Sequence, residues 1–269
     1  MTIYAVGNCG YIASSLHYLS KSLNGNSWRF IDARKIHDKI ISLDFIKESD
    51  LIILLAGINR GKIFQNLKFR NTIEYSFARI VSNSLGTVVI LSSADVYENR
   101  YSTIYSEESQ LKSLEVDQYA AFKIEHEVDS ILNVPRLIVL RLPRVWGGPF
   151  DKESFFAVSS SQIGTGGTLK INHRNPLRSF LHINQLFNSI NCINATHNNR
   201  IPKFLEIYNL ADSTPSNLVQ WISRVGIANE YRFQNMDQDR NISFGLNVSK
   251  FERDFGPVIP LNKIQSLWA

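Results

Sequence analysis

A tyrosine and a lysine four residues apart, Tyr119 and Lys123, are well suited to acid-base chemistry. They lie in the segment 116–132, whose pattern predicts a helix, and residues at this spacing share one face of a helix. The ammonium of Lys123 would then lie near the phenol of Tyr119 and lower its pKa, which is about 10 in free tyrosine. The spacing alone leaves a second interpretation open, in which one ring is buried in the core beside a solvated amine.

A serine at the end of a predicted strand could act with this pair. The apolar segment 87–91 predicts a strand, and Ser93 follows at its carboxyl end, where open α/β sheets bind ligands. A hydroxyl group at that position could bond both a substrate oxygen and the phenol of Tyr119. The alternative is a serine that satisfies backbone groups where the strand ends.

A glycine loop near the N-terminus indicates a dinucleotide site. Gly7, Gly10 and Ala13 form a G-x-x-G-x-x-A pattern between a predicted strand at 2–6 and a predicted helix at 14–23. The first glycine permits a tight turn, the second lets the backbone approach a pyrophosphate, and the small third residue lets the helix pack closely. The helix N-terminus would face the anion.

The next predicted strand, 28–31, ends in an acidic residue, Asp32, 25 residues after Gly7. A carboxylate at this position can accept hydrogen bonds from the adenosine ribose and favours NAD over NADP. Arg34 and Lys35 follow at once, so the choice between the two cofactors stays open. A solvated loop aspartate is the alternative interpretation.

The predicted elements that position these residues alternate between strands and helices, which is typical of a parallel doubly wound sheet. The run 50–55 is apolar without alternation, as in a strand buried on both faces, and it leads into Ala56 and Gly57. A helical region follows at 63–85, the polar segment 98–115 is predicted to be a surface loop near the site, and a further strand is predicted at 136–142.

After residue 149 the alternation of strands and helices is less regular. The predicted helices of this part are 154–164, 184–193, 217–225 and 248–255, and its predicted strands are 168–171 and 204–210. We therefore predict an α/β fold. Residues 1–149 would form a Rossmann-type doubly wound parallel sheet. Residues 150–269 would form a smaller C-terminal α/β substrate-binding domain, which can contribute strands or helices to the first domain.

Composition excludes several other classes of protein. The 269 residues are 44% hydrophobic and 20% charged, with no apolar run of membrane-spanning length and no signal-peptide pattern, so we expect a cytoplasmic protein with no membrane partner. Cys9 and Cys192 cannot form a disulfide framework, and no metal site is predicted. The net charge of +5 is dispersed, which argues against nucleic acid and suits an anionic small substrate.

Together these motifs resemble the extended short-chain dehydrogenase/reductases, specifically the NAD-dependent epimerase/dehydratase family that acts on nucleotide sugars. Gly7, Gly10 and Ala13 match its dinucleotide loop, and Asp32 its ribose-binding acid. The remaining matches are Leu54-Leu55-Ala56-Gly57, an asparagine at Asn71, Ser93 with Val96-Tyr97, the Y-x-x-x-K pair Tyr119 and Lys123, Arg178-Ser179-Phe180-Leu181-His182, and Tyr208-Asn209-Leu210.

The resemblance implies a role for each matched position. Ser93, Tyr119 and Lys123 would be catalytic. The cofactor, NAD or NADP, would be bound by Gly7, Cys9, Gly10, Tyr11, Ile12, Asp32, Arg34, Leu55, Ala56, Gly57, Tyr119, Lys123 and Pro143. The substrate would be bound by Ser93, Ala94, Asp95, Arg144 and Arg178, with Arg178 on the phosphates. The resemblance also implies a homodimer formed through the helix that carries Tyr119.

Departures from the family pattern narrow the expected reaction. The 4,6-dehydratases of the family carry an Asp-Glu pair directly after the catalytic hydroxyl residue, whereas this chain has Ala94 and Asp95. Arg144 and Ser179 replace an Asn or His and an Asp that are usual in the family. In its length and in the segments 141–147 and 246–251, the chain looks more like the small 4-ketoreductases.

We therefore expect an NAD(P)-dependent reductase of a nucleotide-linked 4-keto-6-deoxy sugar in surface polysaccharide synthesis. One alternative is a nucleotide-sugar 4-epimerase with tightly bound NAD, which needs the same three catalytic residues. The other is a non-catalytic dinucleotide-binding protein, against which the intact Ser93, Tyr119 and Lys123 argue.

Overall fold

The computed structural model describes residues 1–7, 10–23, 27–39, 41–55, 79, 85–98, 104–115, 117–150, 169–172, 176–197, 205–225, 231–234 and 243–260. Several predictions fall outside this part of the chain. They are the helix at 154–164, nearly all of the helical region 63–85, and the residues Cys9, Ala56, Gly57 and Asn71.

The described strands are β1 (Ile3–Val6), β2 (Trp28–Ile31), β3 (Leu51–Leu54), β4 (Thr87–Ser93), β5 (Ile104–Tyr105), β6 (Leu137–Leu142), β7 (Arg144–Trp146), β8 (Leu169–Asn172), β9 (Phe180–His182), β10 (Leu205–Asn209), β11 (Tyr231–Gln234) and β12 (Gly245–Leu246). The described α-helices are α1 (Tyr11–Ser22), α2 (Ala33–His37), α3 (Gln118–Asn133), α4 (Ile183–His197), α5 (Leu218–Val225) and α6 (Ser249–Phe255). None of them is long and apolar enough to cross a membrane.

A six-stranded sheet with the order β10-β6-β4-β3-β1-β2 forms the centre of the described structure. Every neighbouring pair in it is parallel. Strands β3 and β6 are buried along their whole length, as expected of parallel strands covered on both faces. The predicted Rossmann-type doubly wound sheet is confirmed.

Separate hydrophobic clusters cover the two faces of this sheet. One contains Leu16 of α1 and Leu186 and Ile190 of α4, and helix α1 packs directly on α4. The other contains Ile36 of α2 and Val139 of β6. Helices on both faces explain why the strands lack polar alternation.

Elements from the C-terminal part of the chain join the central sheet. Strand β10 pairs with β6 at the edge, and helix α4 supplies much of one core face. The smaller two-stranded sheets β5–β12, β7–β9 and β8–β11 lie outside it. Division of the chain at residue 149 stays a prediction.

The polar segment 98–115 differs from the predicted surface loop. It contains β5, which pairs with β12, and Tyr105 is only 3% exposed. The ring of Tyr105 stacks on Tyr97 and Phe244, with centroids 5.4 and 4.9 Å apart. The segment therefore contributes to the hydrophobic core, because the ring of Tyr105 lies between the rings of Tyr97 and Phe244.

Two helices begin at points set by their caps. Helix α1 begins at Tyr11, three residues earlier than predicted, because Gly10 with φ 117° forms its N-cap. Helix α3 begins at Gln118 because the Asp117 side chain accepts hydrogen bonds from the backbone N–H groups of Tyr119 and Ala120.

Candidate active site

Five of the predicted site residues lie at one edge of the central sheet. Gly7, Asp32, Leu55 and Pro143 directly follow β1, β2, β3 and β6, and Ser93 is the last residue of β4. Because the strands are parallel, these residues all lie at the carboxyl edge, where such sheets bind ligands. The chain switches direction along the sheet at β1, between β2 and β3.

The glycine loop has the backbone conformation that a dinucleotide loop needs. Gly7 and Gly10 have φ angles of 116° and 117°, values that favour glycine. Apart from its chain neighbours, no atom in the described part of the chain lies within 4 Å of a methyl group built on Gly10, which leaves space above this backbone. No side chain caps helix α1, and the amide groups of its first turn have no partner within the helix. These features fit a pyrophosphate.

Tyr11 and Ile12 begin helix α1 and have different surroundings. The hydroxyl of Tyr11 donates a 2.7 Å hydrogen bond to the carbonyl of Gly147, directly beyond β7. Ile12 packs against the hydrophobic cluster on the α4 side of the sheet. The first turn of α1 is thus fixed both to the core and to the segment that follows Arg144.

Asp32 already binds within the chain. Its carboxylate accepts the backbone N–H of Arg34 at 3.0 Å, which caps α2, and both oxygens accept the Arg34 guanidinium, at 3.2 and 2.9 Å. Asp32 ends β2 at the carboxyl edge of the sheet in an ion pair with Arg34, and its contact with an adenosine ribose stays a prediction.

Lys123 and Tyr119 lie on one face of helix α3, as predicted. This helix packs against β4 and the 3₁₀ turn Ala94–Val96 that follows it. Lys123 is buried, and its Nζ donates to the carbonyl of Leu91 at 3.0 Å. The same nitrogen lies 5.9 Å from the centroid of the half-buried Tyr119 ring.

Burial lowers the pKa of the Lys123 ammonium to about 8, and the negative charge of Glu127 opposes that shift. A lysine in this state is still largely protonated at neutral pH and gives up its proton far more easily than a solvated lysine. The Lys123 ammonium, with its lowered pKa, thus lies beside the phenol of Tyr119.

Ser93 caps the 3₁₀ turn that begins one residue later. Its Oγ accepts a hydrogen bond from the backbone N–H of Asp95 at 3.1 Å. A hydroxyl that accepts one bond keeps its own proton to donate, so this structural role is compatible with contact to a substrate oxygen. Ala94 is buried and Asp95 is half-buried.

A buried polar cluster lies behind this face and was not predicted. Glu127 accepts hydrogen bonds from the hydroxyl of Ser92, from Arg141 Nη2 at 2.7 Å and from Arg141 Nε at 3.2 Å. Glu127 is one helical turn after Lys123, and Ser92 lies between Leu91 and Ser93. The cluster therefore joins the helix that carries Tyr119 and Lys123 to the strand that carries Ser93.

The same cluster extends to the edge strand β10. Arg141 Nη1 donates to the Tyr97 hydroxyl at 3.1 Å, and that hydroxyl donates to Asn209 Oδ1 at 2.6 Å. Burial raises the pKa of Tyr97 to about 12, so it stays a phenol. Burial alone would lower the pKa of Arg141, but its bonds to Glu127 raise it.

Two signals in the sequence could have revealed this cluster. Arg141 is a charged residue within an otherwise apolar strand, and Glu127 lies four residues after Lys123 on the buried face of its helix. A buried charge requires a partner, so each residue indicated the presence of the other.

The predicted substrate arginines lie on or beside a separate pair of strands. Arg144 is the exposed first residue of β7 and is paired with Phe180 of β9. Arg178 lies two residues before Phe180, and its backbone pairs with Ser216. Burial lowers the pKa of Arg178. Arg144 therefore lies within this small sheet and Arg178 lies two residues before it, while contact of either with a substrate stays a prediction.

No group of three or more His, Cys, Asp or Glu side chains in the described ranges could hold a metal ion.

No protein-family model matches the sequence, and no curated protein matches it. Solved structures do match. Bordetella bronchiseptica WbmH in complex with NAD⁺ has a TM-score of 0.75 at 13% identity, covering 97% of this chain and 95% of its own. A dTDP-glucose 4,6-dehydratase from Bacillus anthracis in complex with NAD has a TM-score of 0.71 at 16% identity, covering 97% and 93%.

A third similar structure is the dTDP-glucose 4,6-dehydratase DesIV from Streptomyces venezuelae, with NAD and TYD bound. It has a TM-score of 0.70 at 16% identity, covering 98% of this chain and 94% of its own. The likeness spans nearly whole chains in all three cases. At these sequence identities, the structural likeness establishes only the fold of the chain. That fold is shared with nucleotide-sugar enzymes solved with NAD.

Proposed function

We propose that the chain is an NAD(P)-dependent enzyme that acts on a nucleotide sugar, specifically a reductase of a nucleotide-linked 4-keto-6-deoxy sugar used in surface polysaccharide synthesis. The observation that carries the proposal is the joint placement of Ser93, Tyr119 and buried Lys123 beside the carboxyl edge of a sheet whose first loop is open at Gly10. Nucleotide-sugar enzymes of the same fold, solved with NAD, support it.

The dinucleotide would be held by this chain's own loop and strand ends. Gly7, Gly10 and the first turn of α1 would bind its pyrophosphate, and Asp32 with Arg34 would face the adenosine ribose. When bound, the cofactor supplies the hydride that reduces a carbonyl carbon.

Tyr119 would protonate the oxygen of that carbonyl. The positive charge of Lys123, 5.9 Å from the ring centroid, favours the phenolate that forms when the proton leaves. Ser93 would donate its hydroxyl hydrogen to the same oxygen while its Oγ continues to cap the 3₁₀ turn.

Arg178 and Arg144 would bind the diphosphate of the substrate. Guanidinium groups match phosphate oxygens in geometry as well as in charge. Arg144 is exposed at the start of β7 and therefore accessible. The half-buried Arg178, two residues before the Phe180 that pairs with Arg144, would give a stronger contact because less water competes.

Dehydration fits this site less well than reduction. The resemblance implies an acid directly after the catalytic hydroxyl residue in 4,6-dehydratases, and here Ala94 occupies that position with 3% exposure. A buried methyl group cannot transfer a proton. The neighbouring Asp95 alone would have to provide both the acid and the base.

We also propose a homodimer formed through helix α3 of a cytoplasmic protein. Val128, Ile131 and Leu132 are 50%, 38% and 78% exposed, and their spacing along the helix forms an apolar strip. Sedimentation velocity of wild type and of Leu132→Glu tests this, with a dimer expected for the first and a monomer for the second. A monomeric wild type would contradict the dimer.

The function is tested with a panel of nucleotide-linked 4-keto-6-deoxy sugars, supplied with NADH or NADPH and followed by loss of reduced cofactor. The proposal expects turnover on at least one member, with one equivalent of cofactor consumed per product. Turnover without net cofactor consumption, with stoichiometric NAD released on denaturation, would instead identify the 4-epimerase. Cofactor binding without turnover on any sugar would favour a non-catalytic protein.

A further inference from the structure

Three residues with ionisable side chains follow one another at intervals of four along helix α3. Tyr119, Lys123 and Glu127 share one face of the helix because a turn takes about 3.6 residues. Lys123 and Glu127 are both buried, at 8% and 2% exposure. Tyr119 and Lys123 take part in the proposed reaction, whereas the buried charge of Glu127 has no part in it.

The same face of α3 is bonded to consecutive residues of β4. Nζ of Lys123 donates to the carbonyl of Leu91 at 3.0 Å. Ser92, the next residue, donates its hydroxyl hydrogen to Glu127 Oε1. Ser92 is paired in the sheet with Arg141 of β6, whose Nη2 donates to Glu127 Oε2 at 2.7 Å. Glu127 thus has a lysine one turn earlier on its own helix and a guanidinium bonded to it from the sheet.

The charges of these side chains alternate in sign at low solvent exposure. Lys123 and Arg141 are cations and Glu127 is an anion. An arginine keeps its proton in a protein, whereas a buried lysine can lose its proton. Without the charge of Glu127, two cations would lie in the core, and of the two Lys123 is the one that can become neutral.

Other ionisable groups near this face do not replace Glu127. Helix α3 packs against β4, the 3₁₀ turn Ala94–Val96 and β6. Besides the exposed Glu125 and Asp129 and Lys123 itself, the ionisable side chains of these elements are Tyr119, His126, Glu127, Asp95 and Arg141, and Tyr97 directly follows the turn. Burial lowers the pKa of His126 to about 4 and raises the pKa of Tyr97 to about 12, so both are neutral near pH 8. The charge that opposes the effect of burial on the pKa of Lys123 is that of Glu127.

We propose that Glu127 is a positioning residue that keeps the buried Lys123 protonated beside Tyr119 and thereby sets the highest pH at which the site can reduce a carbonyl. Glu127 would act through Lys123 and touch neither substrate nor cofactor. Its effect on Lys123 depends only on contacts within the chain, whereas the consequence for reduction rests on the proposed function.

The protonation of Lys123 can be followed by NMR of the full chain with ¹³C at lysine Cε, in the absence of any ligand. The Lys123 signal is assigned by its absence from Lys123→Met. In wild type we expect this signal to titrate near pH 8. Glu127→Gln keeps the size of the side chain and removes its charge, so Lys123 should titrate at least about one pH unit lower. Glu127→Asp keeps the charge and should titrate closer to wild type.

Glu125→Gln is the matched control, because it removes the same charge from an exposed position on the same helix. Solvent screens that position, so Lys123 should titrate within about 0.3 pH units of wild type. If Glu127→Gln does not fold, Glu127→Leu/Arg141→Met removes both charges of the pair, and Lys123 should still titrate below wild type. An unchanged Lys123 titration in a folded variant that lacks the Glu127 charge would overturn the inference.

The consequence for catalysis is measured as the pH dependence of kcat in the reductase assay. For wild type we expect kcat to fall as the pH rises through about 8. The fall should begin at least about one pH unit lower in Glu127→Gln, whereas Glu125→Gln should follow wild type.

The two measurements separate failure of the inference from failure of the proposed function. If kcat falls at the same pH in Glu127→Gln and in wild type although the Lys123 signal has shifted, the role of Glu127 in reduction is wrong. If the Lys123 signal shifts as expected while wild type reduces no 4-keto sugar, the proposed function is wrong and the effect of Glu127 on Lys123 is confirmed.

Discussion

Two arginine–carboxylate pairs in this chain share the same chemistry and differ in their surroundings. Arg141 and Glu127 are joined at 2.7 Å with both side chains 3% exposed, between helix α3 and the sheet. Arg34 and Asp32 are joined at 2.9 Å at the end of β2, where the arginine is 68% exposed. Distance alone does not distinguish the two pairs.

Burial decides what each pair can do. If a buried pair loses one partner, the other charge remains in the core without water to solvate it. Any rearrangement that separates the two groups is therefore strongly unfavourable, and the pair keeps its geometry. An exposed pair contributes little to stability, and water readily replaces either partner. The buried pair is suited to holding Ser93, Tyr119 and Lys123 in fixed positions, whereas the exposed pair can rearrange at little cost in stability.

Breaking the buried pair should have the largest effect. Glu127→Leu leaves the Arg141 cation in the core, and we expect a loss of about 3–5 kcal/mol in the free energy of unfolding, measured by urea denaturation. The double variant Glu127→Leu/Arg141→Met removes both charges and should recover much of that loss. A single variant as stable as wild type would show that the pair does not hold the helix to the sheet.

The burial of Lys123 predicts a rise in stability with pH. Its folded pKa of about 8 lies below the ordinary 10.5, so between these values the unfolded chain binds more protons than the folded chain. The free energy of unfolding should therefore increase across this window by up to about 3 kcal/mol relative to Lys123→Met.

Other groups titrate in the same window, so only the difference between wild type and Lys123→Met is informative. Lys21→Met, on the exposed surface of α1, is the matched control and should follow wild type. If wild type gains no stability relative to Lys123→Met as the pH rises, the buried ammonium is not as the structure describes.

A smaller loss is expected when one donor to Glu127 is removed. Ser92→Ala deletes a buried hydroxyl that donates to the carboxylate, which should lower the free energy of unfolding by about 1.5–3 kcal/mol. Ser93→Ala, the adjacent change, should cost stability only about as much as a lost cap, roughly 0.5–2 kcal/mol, but should reduce turnover. Equal turnover in the Ser92→Ala and Ser93→Ala variants would contradict a catalytic role for Ser93.

The smallest effect on stability is expected at the exposed pair. Arg34→Ala should lower the free energy of unfolding by no more than about 1 kcal/mol, and the loss should shrink as salt is added. Asp32→Ala should cost more than Arg34→Ala because it also removes the cap of α2. A loss at Arg34 as large as that at Glu127 would remove the distinction between the two pairs.

The sheet and its loops could be predicted from sequence because their signals are local. Strands β3 and β6 are continuous apolar runs, and Gly7 and Gly10 mark a turn that requires positive φ. The predicted pairing of Tyr119 with Lys123 needed only the period of a helix. These features depend on neighbours within a few residues.

The buried cluster could not be predicted in the same way. Its bonds join residues far apart in sequence, 35 positions for Ser92 to Glu127 and 112 for Tyr97 to Asn209. The two-residue strands β5 and β12 are too short to show a period, and their pairing depends on Tyr105 entering an aromatic stack. Such contacts exist only once the sheet has formed.

The proposed protonation of a sugar carbonyl oxygen by Tyr119 is tested most directly by one kinetic comparison. Turnover of the 4-keto sugar nucleotide that wild type reduces is measured for Tyr119→Phe and for Tyr18→Phe, a control on the exposed face of α1. We expect Tyr119→Phe to lose at least about a hundredfold in kcat with dinucleotide affinity retained, and Tyr18→Phe to match wild type. Wild-type turnover by Tyr119→Phe would contradict the mechanism.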